Sequence, residues 1–180
     1  PMACTYAKTL SCALGVAWDI RCQDTLLTQP PVPSLFSMCN SDEIQSHYDL
    51  LIGNPPYVRS QLLPAVYADE IRSTCASANK GNFDLSVAFV EHAIEWLSDG
   101  GIASYILTNK FMTSAYGKDI CSKLARRVCV LNIEDFQDNQ VFPGYTTYTC
   151  VLTFSKMPPT KRFLVTRFPG ILNGTREPGP

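Results

Sequence analysis

The chain has two histidines and no Cys-x-x-Cys pair, although eight cysteines are spread along its 180 residues. That excludes the common zinc clusters, whose ligands arrive as closely spaced Cys and His pairs. Several cysteines, Cys22 and Cys150 among them, sit inside apolar runs where a thiol acts as a small hydrophobe. We read them as reduced thiols of an intracellular protein. There is no signal peptide and no apolar run of membrane length. Glycine is scarce early on, Gly15 being the only one before Gly53. Neither sign of charge is in excess, since the net value is −1. The charge is unevenly placed, however. Residues 1–99 hold 5 Lys/Arg against 11 Asp/Glu, and residues 100–180 hold 10 against 5. The second half is the one expected to face something anionic, unless the split only reflects solvated faces.

What is present suits one globular domain, with 46% hydrophobic and 17% charged residues. Residues 3–14 read as a helix, and "VAWDIRC" at 16–22 as a strand ending near Asp24. A Pro/Ser-rich connection leads to a second strand, "YDLLIG" at 48–53. Residues 59–82 look irregular, with one helical turn around "VYADEIRS". From Asp84 to Ser98 the pattern is helical, with Leu85, Phe89, Ala93 and Trp96 on one face. Asn82 or Asp84 could cap that helix, and "DGG" at 99–101 reads as its stop. Strands follow at "IASYIL", "VLNIEDF" and "YTCVLTF", with a helix around 116–127. Alternating strands and helices predict a largely parallel α/β sheet. Ligands of such sheets bind beyond the carboxyl ends of the strands. Asp24, Asn54–Tyr57 and Thr108–Lys110 all follow predicted strand ends and should meet on one rim.

The segment "HYDLLIGNPPYVRS" stands out. Asn54 and Pro55 each precede a proline, which holds both extended and removes N–H donors from the loop. The loop then offers acceptors: the Asn54 side-chain oxygen and the Pro55 carbonyl, with the ring of Tyr57 beside them. That suits a flat ligand donating two hydrogen bonds from one nitrogen, such as an exocyclic amino group or a primary amide. Asn-Pro also commonly starts a plain turn.

With "DLLIGNPPY", "FDLSVAFVEHAIEWLSDGGIASYILTNKF" and "VFPGYTTYTCVLTF" in this order, the chain resembles the N6-adenine DNA methyltransferases. The likeness is to the TaqI-like members and those of type II restriction–modification enzymes, and it covers most of residues 3–156. It implies a Rossmann-like sheet using S-adenosyl-L-methionine as methyl donor, acting on adenine flipped out of double-stranded DNA. It assigns Asn54, Pro55, Pro56 and Tyr57 to catalysis, with Tyr57 also stacking on the base. Asp24 would bind the adenine of the cofactor and Phe142 would pack on the other side of the flipped base. Lys110 is placed at a phosphate by its charge and position. Taken by themselves, Asp24 equally suits a strand end or a cap, Phe142 a core position and Lys110 a solvated surface.

The family's F-x-G-x-G loop, and the acidic residue after the next strand, do not occur here. Residues 1–157 therefore read as the catalytic-side part of the methyltransferase domain, incomplete at its N-terminus, and 158–180 as a C-terminal edge segment or linker. The opening Pro1 suggests a piece of something longer, and a target-recognition domain or subunit would lie elsewhere. A cytoplasmic, DNA-associated enzyme is the expectation. The same loop would also serve methylation of a protein glutamine amide or an RNA amino group, or survive in a non-catalytic binding module.

Overall fold

Strand β1 (Tyr48–Gly53) has the bounds that the sequence predicts. It belongs to the computed structural model of the chain, which describes residues 23–27, 47–79, 81–139, 141–142 and 147–168. The sheet continues with β2 (Leu97–Thr108), β3 (Cys129–Asp135), β4 (Thr149–Ser155) and β5 (Leu164–Arg167). In space the order is β1-β2-β4-β3-β5. The described helices are α1 (Ala65–Thr74), α2 (Leu85–Trp96) and α3 (Gly117–Arg127). The expected helix at 3–14 and strand at 16–22 lie outside the described residues.

The sheet is mixed, not largely parallel. β1 runs parallel to β2, and β3 to β5, but β4 is antiparallel to both β2 and β3. The reason lies in the connections. A helical crossover joins β1 to β2 and another joins β2 to β3, which keeps those strands pointing one way. Between β3 and β4 no described residue is helical, and the chain returns straight into the slot between β2 and β3.

Alternation along β2 puts Ala103, Tyr105 and Leu107 on the buried face. They pack with Leu152 and Phe154 of β4 and with Val90 and Ile94 of α2 to form the main core. A second cluster joins Ile71, Cys75, Phe83, Leu85 and Ala88 to Leu26. Asp84 caps α2, its Oδ1 accepting from the Ser86 backbone N–H at 3.0 Å.

Two expectations are corrected. Residues 65–74 form a full helix, where only one turn was expected. Its buried stripe is just Ala68 and Ile71, too narrow to register as a period in the sequence. Likewise "DGG" does not stop a helix that runs to Ser98. α2 ends at Trp96, and residues 99–101 already belong to β2. Gly100 takes φ +81°, and a Cβ on Gly101 would come within 2.8 Å of the Tyr48 carbonyl oxygen. The two glycines let the chain bend into the ladder directly from the helix.

Gly117 opens α3 against the preceding turn. A Cβ there would fall 1.6 Å from the Phe111 carbonyl oxygen, so backbone must move to admit one. Gly117→Ala should therefore lower unfolding free energy by about 2–3 kcal/mol. Denaturant unfolding of both proteins measures this, and equal midpoints would refute it.

Candidate functional site

The loop 54–57 is pinned at both ends. Upstream, Gly53 still pairs with Tyr105 in the β1–β2 ladder. Downstream, the Leu85 N–H donates to the Val58 carbonyl and the Ser60 N–H to the Phe83 carbonyl, both at 2.8 Å. Arg59 and Asp84 form a backbone bridge between these two bonds. The Tyr57 hydroxyl donates to the Ile106 carbonyl at 3.2 Å. Burial, helped by Cys150 and Asp84, pushes the Tyr57 phenol up to about 12, so it stays neutral at ordinary pH. The prolines need no partner for their missing N–H groups. Within this fixed loop, neither the Asn54 side chain nor the Pro55 carbonyl accepts a hydrogen bond from the described residues. Asn54 is exposed and Pro55 buried. Two acceptors are thus held ready by structure around them. They are unspent.

Consecutive loop residues face different clefts. Asn54, Pro55 and Pro56 line one of about 370 Å³, together with Gln23, Phe89 and Trp96. Tyr57 lines a second, of about 390 Å³, with Arg59, Thr108, Lys110, Tyr116 and Tyr148. Both sizes fall within the range of small-ligand sites. The loop is therefore the partition between a mostly apolar cleft and one carrying two cations.

The rim expected from the sequence is only partly assembled. Tyr57, Thr108 and Lys110 do share one cleft. Asp24 is exposed, and its Oδ1 accepts from the Leu26 and Leu27 N–H groups at 3.0 and 3.3 Å. Its neighbours Gln23 and Thr25 line the apolar cleft instead. Phe142 is half-buried and lines neither cleft, while 143–146 lie outside the described residues.

Other site residues escaped the sequence reading. Phe89 and Trp96 sit seven apart on the apolar stripe of α2, so they read as core. Both border the apolar cleft, and the His92 ring lies 5.2 Å from that of Trp96. Asn109 ties the ends of two strands together: its Nδ2 donates to Asp135 Oδ1 and to the Gln137 carbonyl, each at 3.1 Å. Its own N–H donates to the Tyr148 carbonyl at 3.0 Å, which sets Lys110 beside Tyr148. "LTNKF" offered a signal for Asn109, a polar residue just after an apolar strand, but nothing to say what it would hold.

Among the described residues no group of His, Cys, Asp and Glu could hold a metal ion, and no helix is long and apolar enough to cross a membrane. Cys75, Cys121, Cys129 and Cys150 are free thiols.

Residues 21–142 match the family model described as Eco57I restriction-modification methylase. The chain is 30% identical over 125 residues to the type II restriction enzyme and methyltransferase RM.Eco57I of Escherichia coli, covering 68% of this chain and 12% of that one. It is 27% identical over 161 residues to the type II methyltransferase M.XhoI of Xanthomonas vasicola, covering 89% and 27%. The chain thus spans a minor part of the length of these curated relatives. Its fold is similar to that of a Listeria monocytogenes protein assigned to the class I S-adenosylmethionine-dependent methyltransferases, at TM-score 0.55 and 12% identity over 71% of this chain and 38% of that one. The type IIL restriction–modification enzyme MmeI, solved in complex with DNA, gives TM-score 0.54 at 16% identity, over 72% and 18%. The five-stranded mixed sheet is that of the S-adenosylmethionine-dependent methyltransferases.

Proposed function

Because the chain belongs to the Eco57I restriction-modification methylase family, we propose that loop 54–57 receives the amino group of an adenine flipped out of double-stranded DNA. The observation that carries this is the pair of unspent acceptors, Asn54 and the Pro55 carbonyl, on a loop fixed at both ends. They line the apolar cleft and would accept the two N6 hydrogens where the amino group of a base stacked on Tyr57 reaches across the loop into it. As that nitrogen bonds to carbon it becomes tetrahedral and positively charged, and dipoles already in place stabilise the charge without reorganising. Pro56 keeps Pro55 extended and Tyr57 stacks on the base. Since the phenol is neutral and spends its proton on Ile106, its contribution is the ring.

The apolar cleft on the other side of the partition would hold S-adenosyl-L-methionine, with Phe89 and Trp96 offering flat walls and Gln23 a polar contact. Bound there, it supplies an electrophilic methyl group. Asp24 is assigned to its adenine, through the carboxylate that the turn at 24–27 and the Tyr67 hydroxyl hold in place. Phe142 is assigned to the second face of the base and Lys110 to a backbone phosphate. Residues 1–157 act as the catalytic-side part, with 158–180 at the edge and sequence recognition supplied by another domain or subunit. The enzyme would work in the cytoplasm on DNA as the modifying half of a restriction–modification system.

The test is transfer of labelled methyl groups by the full-length protein to duplex DNA, RNA and protein offered in parallel. Label at N6 of adenine in one duplex sequence is the expected result. Label confined to RNA or to protein glutamine would overturn the reading.

A further inference from the structure

The cleft beside Tyr57 carries two cations from separate segments, Arg59 and Lys110. Both side chains are exposed, and among the described residues neither finds a hydrogen-bond or ion-pair partner. Asp84 lines the same cleft, but its Oδ1 is committed to the Ser86 N–H at 3.0 Å and the Ser86 hydroxyl at 2.6 Å. Some other long cations of the described surface are spent within the fold: Arg72 pairs with Asp69, Lys123 with Glu91 and Arg127 with Glu95. The backbone that carries Arg59 and Lys110 is fixed. The Arg59–Asp84 bridge fixes the first, and the Asn109 N–H to the Tyr148 carbonyl fixes the second.

Arg59 stands two residues beyond Tyr57, at the mouth of the cleft that Tyr57 lines. We infer that Arg59, acting with Lys110, binds the DNA phosphate adjoining the flipped nucleotide, and that this contact makes the cleft accept a nucleotide only within a strand. The inference rests on the proposed adenine reading and adds a positioning residue to it. A guanidinium suits the task because its planar fork grips two phosphate oxygens at once, whereas lysine offers a point charge. The contact fixes where the base enters and carries no sequence information.

The test pairs a protein change with a chemical change in the DNA. Methyl transfer by the full-length protein is measured on the cognate duplex, and on duplexes with an uncharged methylphosphonate at either phosphate flanking the target adenine. For the wild type, one of the two methylphosphonates should lower kcat/KM roughly tenfold. Arg59→Ala should lose about as much on ordinary DNA, and lose little more on that methylphosphonate duplex. Its salt dependence of DNA binding should also fall by about one unit of slope, per phosphate released. Arg59→Lys should recover part of the loss, and melting temperatures should match the wild type, because the side chain bonds to none of the described residues. Losses that multiply, or an Arg59→Ala protein equal to wild type, would overturn the clamp while leaving adenine methylation standing. A wild type that methylates RNA or protein but no DNA would overturn both.

Discussion

Asn54→Ala is expected to cut the rate of methyl transfer, at saturating donor and duplex, by about 10²- to 10³-fold. The amino nitrogen of adenine is a poor nucleophile because its lone pair is spread into the ring. To react it must become tetrahedral, which concentrates positive charge on its two hydrogens. An acceptor already aimed at one hydrogen gains strength as that charge grows. The interaction is therefore stronger in the transition state than in the bound substrate, and its loss should fall on kcat and not on KM. The Pro55 carbonyl survives the substitution, so activity falls far without vanishing. Asn54→Asp keeps an oxygen acceptor in place and should lose less. Stability should hardly change: Asn54 is exposed and accepts nothing from the described residues, so its removal belongs with neutral surface changes of about 0.5 kcal/mol or less. Full activity in the alanine variant would sink the role. So would a rate loss matched by an equal fall in melting temperature.

The sequence makes this loop legible for a local reason. Two consecutive prolines limit their own φ and the residues before them, so the acceptors are positioned by covalent geometry more than by tertiary contacts. The same holds for β1 and for the cap at Asp84, both set by neighbours in sequence. What the sequence does not display are features made by distant segments. The antiparallel β4 depends on which slot the chain enters after β3, and no residue of "YTCVLTF" encodes direction. Helix α1 is stabilised by a narrow seam, with Ile71 packed against Phe83 and Leu26 from elsewhere in the chain. Phe89 and Trp96 share the periodicity of core residues and become cleft walls only where loop 54–56 and Gln23 come to face them. Arg59 is a further case. Its place in the Tyr57 cleft exists only in three dimensions, where the backbone bridge to Asp84 brings it beside Thr108 and Lys110.

Glu91 carries the largest expected effect on stability, and nothing in its sequence neighbourhood announces it. It lies in the middle of α2, 5% exposed, and ties three segments together. The Ala76 and Ser77 N–H groups donate to it at 2.9 and 2.8 Å, the Cys75 thiol at 3.2 Å, and the Lys123 ammonium of α3 at 2.6 Å. Burial pushes the carboxyl up, but the bonds from Lys123, Ser77 and Cys75 outweigh it and hold the group at about 2, against 4.5 when free. Glu91→Gln conserves volume while leaving the Lys123 charge without its partner, and it turns an amide donor toward backbone donors. The expected loss is about 3–5 kcal/mol. Lys123→Met should cost less, because the Lys123 side chain is partly exposed and the two backbone N–H bonds remain. The pH dependence separates this from a simple packing defect. A carboxyl whose pKa is lowered by folding stabilises the protein fully above its unfolded value of 4.5, and that contribution disappears as pH falls toward 2. Wild type and Glu91→Gln should therefore differ most near neutrality and converge between about pH 4.5 and 2. A gap that stays constant over that window would mean the charge is irrelevant, and equal stability at pH 7 would remove the clasp altogether. The consequence reaches the site as well. α2 carries Phe89 and Trp96, and its first residue anchors Val58 just past Tyr57. Loosening Glu91 should thus free the loop at temperatures where the sheet still holds, and methyl transfer should fail before the protein unfolds.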